Sequence, residues 1–144
     1  MDLVEIPICN RDELFGMLTM IHDAATTREQ IRYEPDAGRL EIVFDRVSFD
    51  YPQLTRVTKR FWFFRRHELP MVRSRVTLEG LQDCRIGAMV PGKRYTFVEC
   101  EIKRDDYTLE FSEKLKIVLR LGPSVRGALK DLELLAGQRV GFVE

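Results

Sequence analysis

A chain of 144 residues, 44% hydrophobic and 32% charged, has the size and composition of one folded domain. That excludes whole-chain disorder and removes the need for a staple of disulfides or metal. Its 23 basic and 23 acidic side chains cancel to a formal net charge of zero, which argues against a general nucleic-acid binder. The zero hides segregation, because residues 1–55 hold 5 bases against 11 acids while residues 56–75 hold 7 bases against Glu68 alone.

In chain order, Met1-Asp2-Leu3-Val4-Glu5-Ile6-Pro7 carries acids where a secretory leader carries bases. Val4, Ile6 and Ile8 alternate as in a short edge strand, with Pro7 turned away from the ladder. Asn10 followed by Glu13 reads as a capping box, and Cys9 with Leu14 as its hydrophobic staple. Leu14, Met17, Leu18 and Ile21 then form one apolar stripe, which predicts a helix over about residues 11–22. From Arg28 the period falls to two. Ile31 and Tyr33, the turn Glu34-Pro35-Asp36-Ala37-Gly38, and Leu40, Ile42 and Phe44 predict a hairpin. The apolar phase shifts at Val47 and Phe49, which suggests a bulge near Asp45-Arg46.

After the break at Asp50-Tyr51-Pro52-Gln53, residues 56–66 read as a strand, and Val72, Ser74, Val76 and Leu78 as a half-buried one. Ile86, Ala88 and Val90 suggest a short strand before Pro91-Gly92. Tyr95 to Lys103, Tyr107 to Ser112 and Lys114 to Leu121 suggest three more, the last ended by Gly122-Pro123. Ser124 then caps a short helix over about 124–134 bearing Val125, Leu129 and Leu132. The sum is one domain, 1–144, mainly β with minor α. The expected architecture is an antiparallel β-sandwich or partly open barrel of seven or eight strands, with helices over a face or an open end.

Motifs of chemistry are sparse. Two histidines, His22 and His67, lack ligand spacing with Cys84 or Cys100, so no metal site is expected. Asp105-Asp106 and Asp12-Glu13 are explained by turn solvation and helix capping. No GxSxG or GxGxxG occurs, and Ser48, Ser74, Ser112 and Ser124 have no local signature of a nucleophile, so neither a cofactor nor a catalytic residue is expected. An enzyme would need a site built from scattered residues. Cys9, Cys84 and Cys100 are widely spaced with no CxxC pair, which suits a reducing compartment. The longest uncharged apolar run falls far short of the roughly 20 residues of a membrane helix. The expected setting is cytoplasmic, with no membrane partner.

One stretch stands out: Lys59-Arg60-Phe61-Trp62-Phe63-Phe64-Arg65-Arg66. Bases interleaved with aromatics suit single-stranded nucleic acid, the cations meeting phosphates and the rings stacking on bases. The same stretch suits a core or interface strand, since Trp, Phe and Arg are enriched at interface centres. These eight residues are the candidate interaction surface. The expected function is a noncatalytic binding or assembly module that forms a homo-oligomer. The alternatives are a single-stranded nucleic-acid-binding domain using 56–66, and an enzyme.

Three segments also carry a resemblance. Leu115-Lys116-Ile117-Val118-Leu119-Arg120 followed by Ala128-Leu129-Lys130-Asp131-Leu132, together with Ile21-His22-Asp23-Ala24, resembles an uncharacterised family of small bacterial domains of unknown function. The resemblance covers the first helix and the last three strands. It implies a bacterial cytosolic protein and supplies no activity or functional residue.

Overall fold

Alternation of apolar and polar side chains carries most of the chain into strand. The computed structural model describes residues 3–48, 56–60 and 65–143, with positions 56–60, 65–68 and 136–143 described by backbone and register. The elements are β1 (Glu5–Ile8), α1 (Arg11–Met20), β2 (Ala25–Thr26), β3 (Ile31–Glu34), β4 (Arg39–Val47), β5 (Arg56–Arg60), β6 (Arg65–Ile86), β7 (Tyr95–Lys103), β8 (Asp106–Phe111) and β9 (Lys116–Val143).

Six strands close on themselves in the order β9-β8-β7-β2-β4-β6, all antiparallel, and the pairing of β6 with β9 completes the circuit. The fold is therefore a closed barrel rather than a sandwich or an open one. β1 extends the sheet from β9, β5 from β6, and β3 pairs with β4. One edge of β6 pairs in turn with β5 and β4, while its other edge follows β9.

Helix α1 packs its apolar stripe against the barrel core, as its sequence requires. Leu14, Met17, Leu18 and Ile21 are buried in the same core as Phe44, Phe97, Tyr107, Leu109 and Leu129. Asn10 Oδ1 accepts the Glu13 N–H at 2.9 Å, and Glu13 Oε2 accepts the Cys9 N–H at 3.0 Å, so the box closes one residue earlier than its standard form. Cys9 is exposed, and the buried residue ahead of the cap is Ile8. Asn10→Ala should cost about 1 kcal/mol in chemical denaturation, and an unchanged midpoint would show that water replaces the cap.

Five sequence expectations are corrected. The helix at about 124–134 does not form, since β9 continues as strand through Val143. The spacing of Val125, Leu129 and Leu132 imitates a helical stripe, but Leu132 is exposed, and Val125, Leu129 and Asp131 are the buried, odd-numbered positions of a strand. The long β6 offers a ladder, and helix propensity is too weak a preference to compete with it. Gly127 permits the pairing, because a Cβ there would strike the Thr77 carbonyl. Pro123 ends no strand either. Between Leu121 and Arg126 the β9 ladder skips to let residues 122–125 bulge opposite Gly80, whose φ of 80° suits glycine.

Residues 56–66 are not one strand. β5 ends at Arg60 and β6 starts at Arg65, the two paired back on each other, while Phe61 to Phe64 lie outside the described residues. The short strand expected at Ile86 to Val90 is absent: Ile86 ends β6, and residues 87–90 carry no strand. Finally, β4 has no bulge, since its register with β6 runs unbroken from Leu40 to Val47. Its inward file continues in phase as Leu40, Ile42, Phe44 and Arg46, so the pattern changed because a charged residue took an interior place.

That arginine is answered within the barrel. Phe44, Ser74 and Asp131 lie side by side across β4, β6 and β9. Arg46 Nε donates to Ser74 Oγ at 2.9 Å, its Nη2 donates to Asp131 Oδ1 at 3.0 Å, and Ser74 Oγ donates to Asp131 Oδ1 at 2.6 Å. Arg46 is 3% exposed and Asp131 1%, so this is a buried ion pair with its hydrogen bonds made inside the protein. On the opposite face Asp45, Arg73 and Glu133 form a parallel row, Arg73 reaching Asp45 at 2.9 Å and Glu133 at 3.0 Å.

Candidate interaction surface

The polar residues weighed for chemistry in the sequence make structural contacts. Asp105 accepts from Arg11 at 2.7 Å, and Asp106 from Arg120 at 2.9 Å. The Arg120 guanidinium holds the Asp106 carboxyl below the usual carboxylate range. His22 Nδ1 lies 3.2 Å from Asp23 Oδ2 at the exposed end of α1. Ser74 belongs to the buried ion pair, and Ser112 Oγ accepts the Thr96 N–H at 3.0 Å. Among the described residues, no group of three or more His, Cys, Asp or Glu stands together as metal ligands. No helix among them is long and apolar enough to cross a membrane.

All three cysteines are free. Burial pushes the Cys84 thiol up to about 12 and the Cys100 thiol to about 11, which withholds the nucleophilic thiolate at neutral pH. Cys9 is exposed. Iodoacetamide should therefore modify Cys9 first and Cys84 only on unfolding, as peptide mapping over time would show. Equal rates would contradict the burial of Cys84.

The eight candidate residues divide. Lys59 and Arg60 lie on β5, Arg65 and Arg66 on β6, and Phe61, Trp62, Phe63 and Phe64 fall outside the described residues. The register places Arg56 opposite Glu68, a complementary pair. It also places Lys59 opposite Arg66 and Arg60 opposite Arg65, and directly opposed like charges weaken a strand pair. On its other edge Arg66 faces Val143 and His67 faces Phe142. Arg73, by contrast, is neutralised by Asp45 and Glu133. Of the charge block seen in sequence, Arg73 is thus paired, and the register groups Lys59, Arg60, Arg65 and Arg66.

A second surface, missed in the sequence, lies between α1 and β7. Phe15 and Thr19 lie on the flank of the helix and His22 just beyond its end, and Val98, Glu99 and Cys100 face them from the strand. They line a groove of about 330 Å³. Phe15 is 48% exposed and Val98 45%, so the groove presents apolar surface to solvent. Val98 owes its place to a bulge in β7 between Phe97 and Glu99. Two signals were available: Phe15 falls off the buried 14/17/18/21 stripe, and Phe97-Val98 breaks strict alternation.

The strand side of the groove is acidic. Glu99 stands directly opposite Glu110, and Glu101 follows on β7. Lys116 reaches Glu110 at 3.6 Å. The hydrogen bond and charge of Glu110 hold the Glu99 carboxyl above its usual range, with a further contribution from Glu101. This is the mirror of the β5–β6 ladder, with anions opposed where that one opposes cations. No family model, curated protein or solved structure matches the chain.

Proposed function

We propose that the chain is a noncatalytic binding or assembly module that associates with itself. The observation that carries this reading is the β5–β6 register, which sets Lys59 against Arg66 and Arg60 against Arg65. Carboxylates from a partner would offset that repulsion, and complementary charge would select the partner and speed its approach. The chain is neutral overall and holds matching acids elsewhere, so a second copy supplies them. Three free cysteines suit a cytoplasmic setting, which we infer to be bacterial from the resemblance of its helix and closing strands.

Light scattering at tens of micromolar is the test. The expected mass is at least twice that of one chain at low salt, decreasing as salt screens the opposed charges. A single-chain mass at low salt would overturn the reading.

The same register favours a second reading, a single-stranded nucleic-acid-binding domain, because phosphates would also answer the opposed cations and four aromatics stand between them in sequence. It predicts salt-sensitive binding with quenching of Trp62, the lone tryptophan. Failure to bind mixed-sequence oligonucleotides at low salt would end it.

A further inference from the structure

We propose that the groove between α1 and β7, with Glu99, Glu101 and Glu110 beside it, receives the basic–aromatic segment 59–66 of a second copy of this chain. The proposal rests on the self-association reading above and names the surface that it uses.

Two features of the groove select this occupant. The first is apolar. Exposed Phe15 and Val98 leave hydrophobic surface in water, and such surface marks a binding site when polar residues rim it. The four residues between Arg60 and Arg65 in the sequence are all aromatic, the side chains that bring most apolar area to a contact. The second feature is charge. Glu99 and Glu110 face each other across β7 and β8 with Glu101 beside them, and Lys116 is the cation near Glu110. The donor segment brings two cations on each side of its aromatics, Lys59 and Arg60 before them and Arg65 and Arg66 after. Each surface holds an excess that the other removes, apolar against apolar and anion against cation.

The acids also discriminate among partners. A nucleic acid would be repelled by this groove, because its phosphates repeat the charge of Glu99 and Glu101. A basic segment is drawn to it. The contact joins two different surfaces, so every copy carries one donor and one acceptor. Association can then close as a reciprocal pair or continue as a ring, and measured mass distinguishes these.

Two charge-reversed full chains test the contact by sedimentation velocity. One carries Glu99→Lys with Glu101→Lys, the other Lys59→Glu with Arg66→Glu. Each alone has two repelling surfaces and should associate at least about tenfold more weakly than the unaltered chain. Mixed in equal amounts, they match at both surfaces and should recover the unaltered mass. Phe15→Ser, at an exposed helix position, should also weaken association while leaving the melting curve in place, which guards against a charge variant that fails to fold.

If the unaltered chain associates but Glu99→Lys/Glu101→Lys and Phe15→Ser leave its mass unchanged, this contact is wrong and self-association uses another surface. If the unaltered chain is monomeric, self-association itself is refuted and the contact falls with it.

Discussion

Asp131→Ala should destabilise the domain by about 3–5 kcal/mol, because it strands a buried guanidinium without its carboxylate. Arg46 and Asp131 are almost wholly buried, and both join Ser74 at the level where β4, β6 and β9 lie side by side. Removing the carboxylate leaves the Ser74 hydroxyl without its acceptor as well. Urea denaturation should show the loss as a lower midpoint at nearly constant slope, the sign of a stability change without a change in the surface exposed. The double replacement Arg46→Met with Asp131→Leu gives the contrasting result. It removes both charges, substitutes apolar volume, and should recover most of the loss. A cost below about 1 kcal/mol for Asp131→Ala would mean that water reaches Arg46 and that the tier is not dry.

Phe44→Ala should cost about 3–5 kcal/mol, through lost burial and the cavity left in the barrel. Phe44 is 1% exposed and lies opposite Ser74, in the row that continues to Asp131. Its side chain is among the largest fully buried in the protein, so neighbours held by closed strand ladders can collapse only partly into the gap. Equilibrium denaturation measures the loss. A cost near that of an exposed substitution, within about 0.5 kcal/mol, would place Phe44 outside the core. Because Phe44, Ser74 and Asp131 share one row, Phe44→Ala and Asp131→Ala should not add, and the deviation measures their coupling.

These two sites bear on function through β6. The strand pairs with β4 over Met71–Leu78 and with β5 over Arg65–Glu68 along one edge. The ion pair lies near the join, at the level of Val72 and Ser74, and the opposed cations lie farther along the same strand at Arg65 and Arg66. A slip of one residue would turn every β6 side chain to the other face, and a buried charge that must meet one partner resists such a slip.

Much of this was legible from residue order. The stripe Leu14, Met17, Leu18 and Ile21, the Asn10 cap, the turn at Pro35–Gly38 and the β7 limits Tyr95–Lys103 follow from local periodicity and turn chemistry. Local rules hold there because each element satisfies its own backbone or its neighbour in sequence. The basic–aromatic stretch was visible too, as composition. What neighbours it, and where its strands end, was not.

Tertiary structure decided the rest. Val125, Leu129 and Leu132 fit a helix or a strand, and only the long ladder of β6 chose strand. Arg46 looked like a change of phase, and only Ser74 and Asp131, distant in sequence, made it an interior residue. The groove needs α1 laid beside a bulged β7, and the opposed charges at Glu99–Glu110 and Lys59–Arg66 exist only through register. The sequence by itself determined the α1 stripe, its cap and the turn at Pro35–Gly38, because those depend on side chains a few positions apart. Barrel closure, register and the juxtaposition of like charges depend on pairs far apart in the chain, and only the folded sheet brings those together.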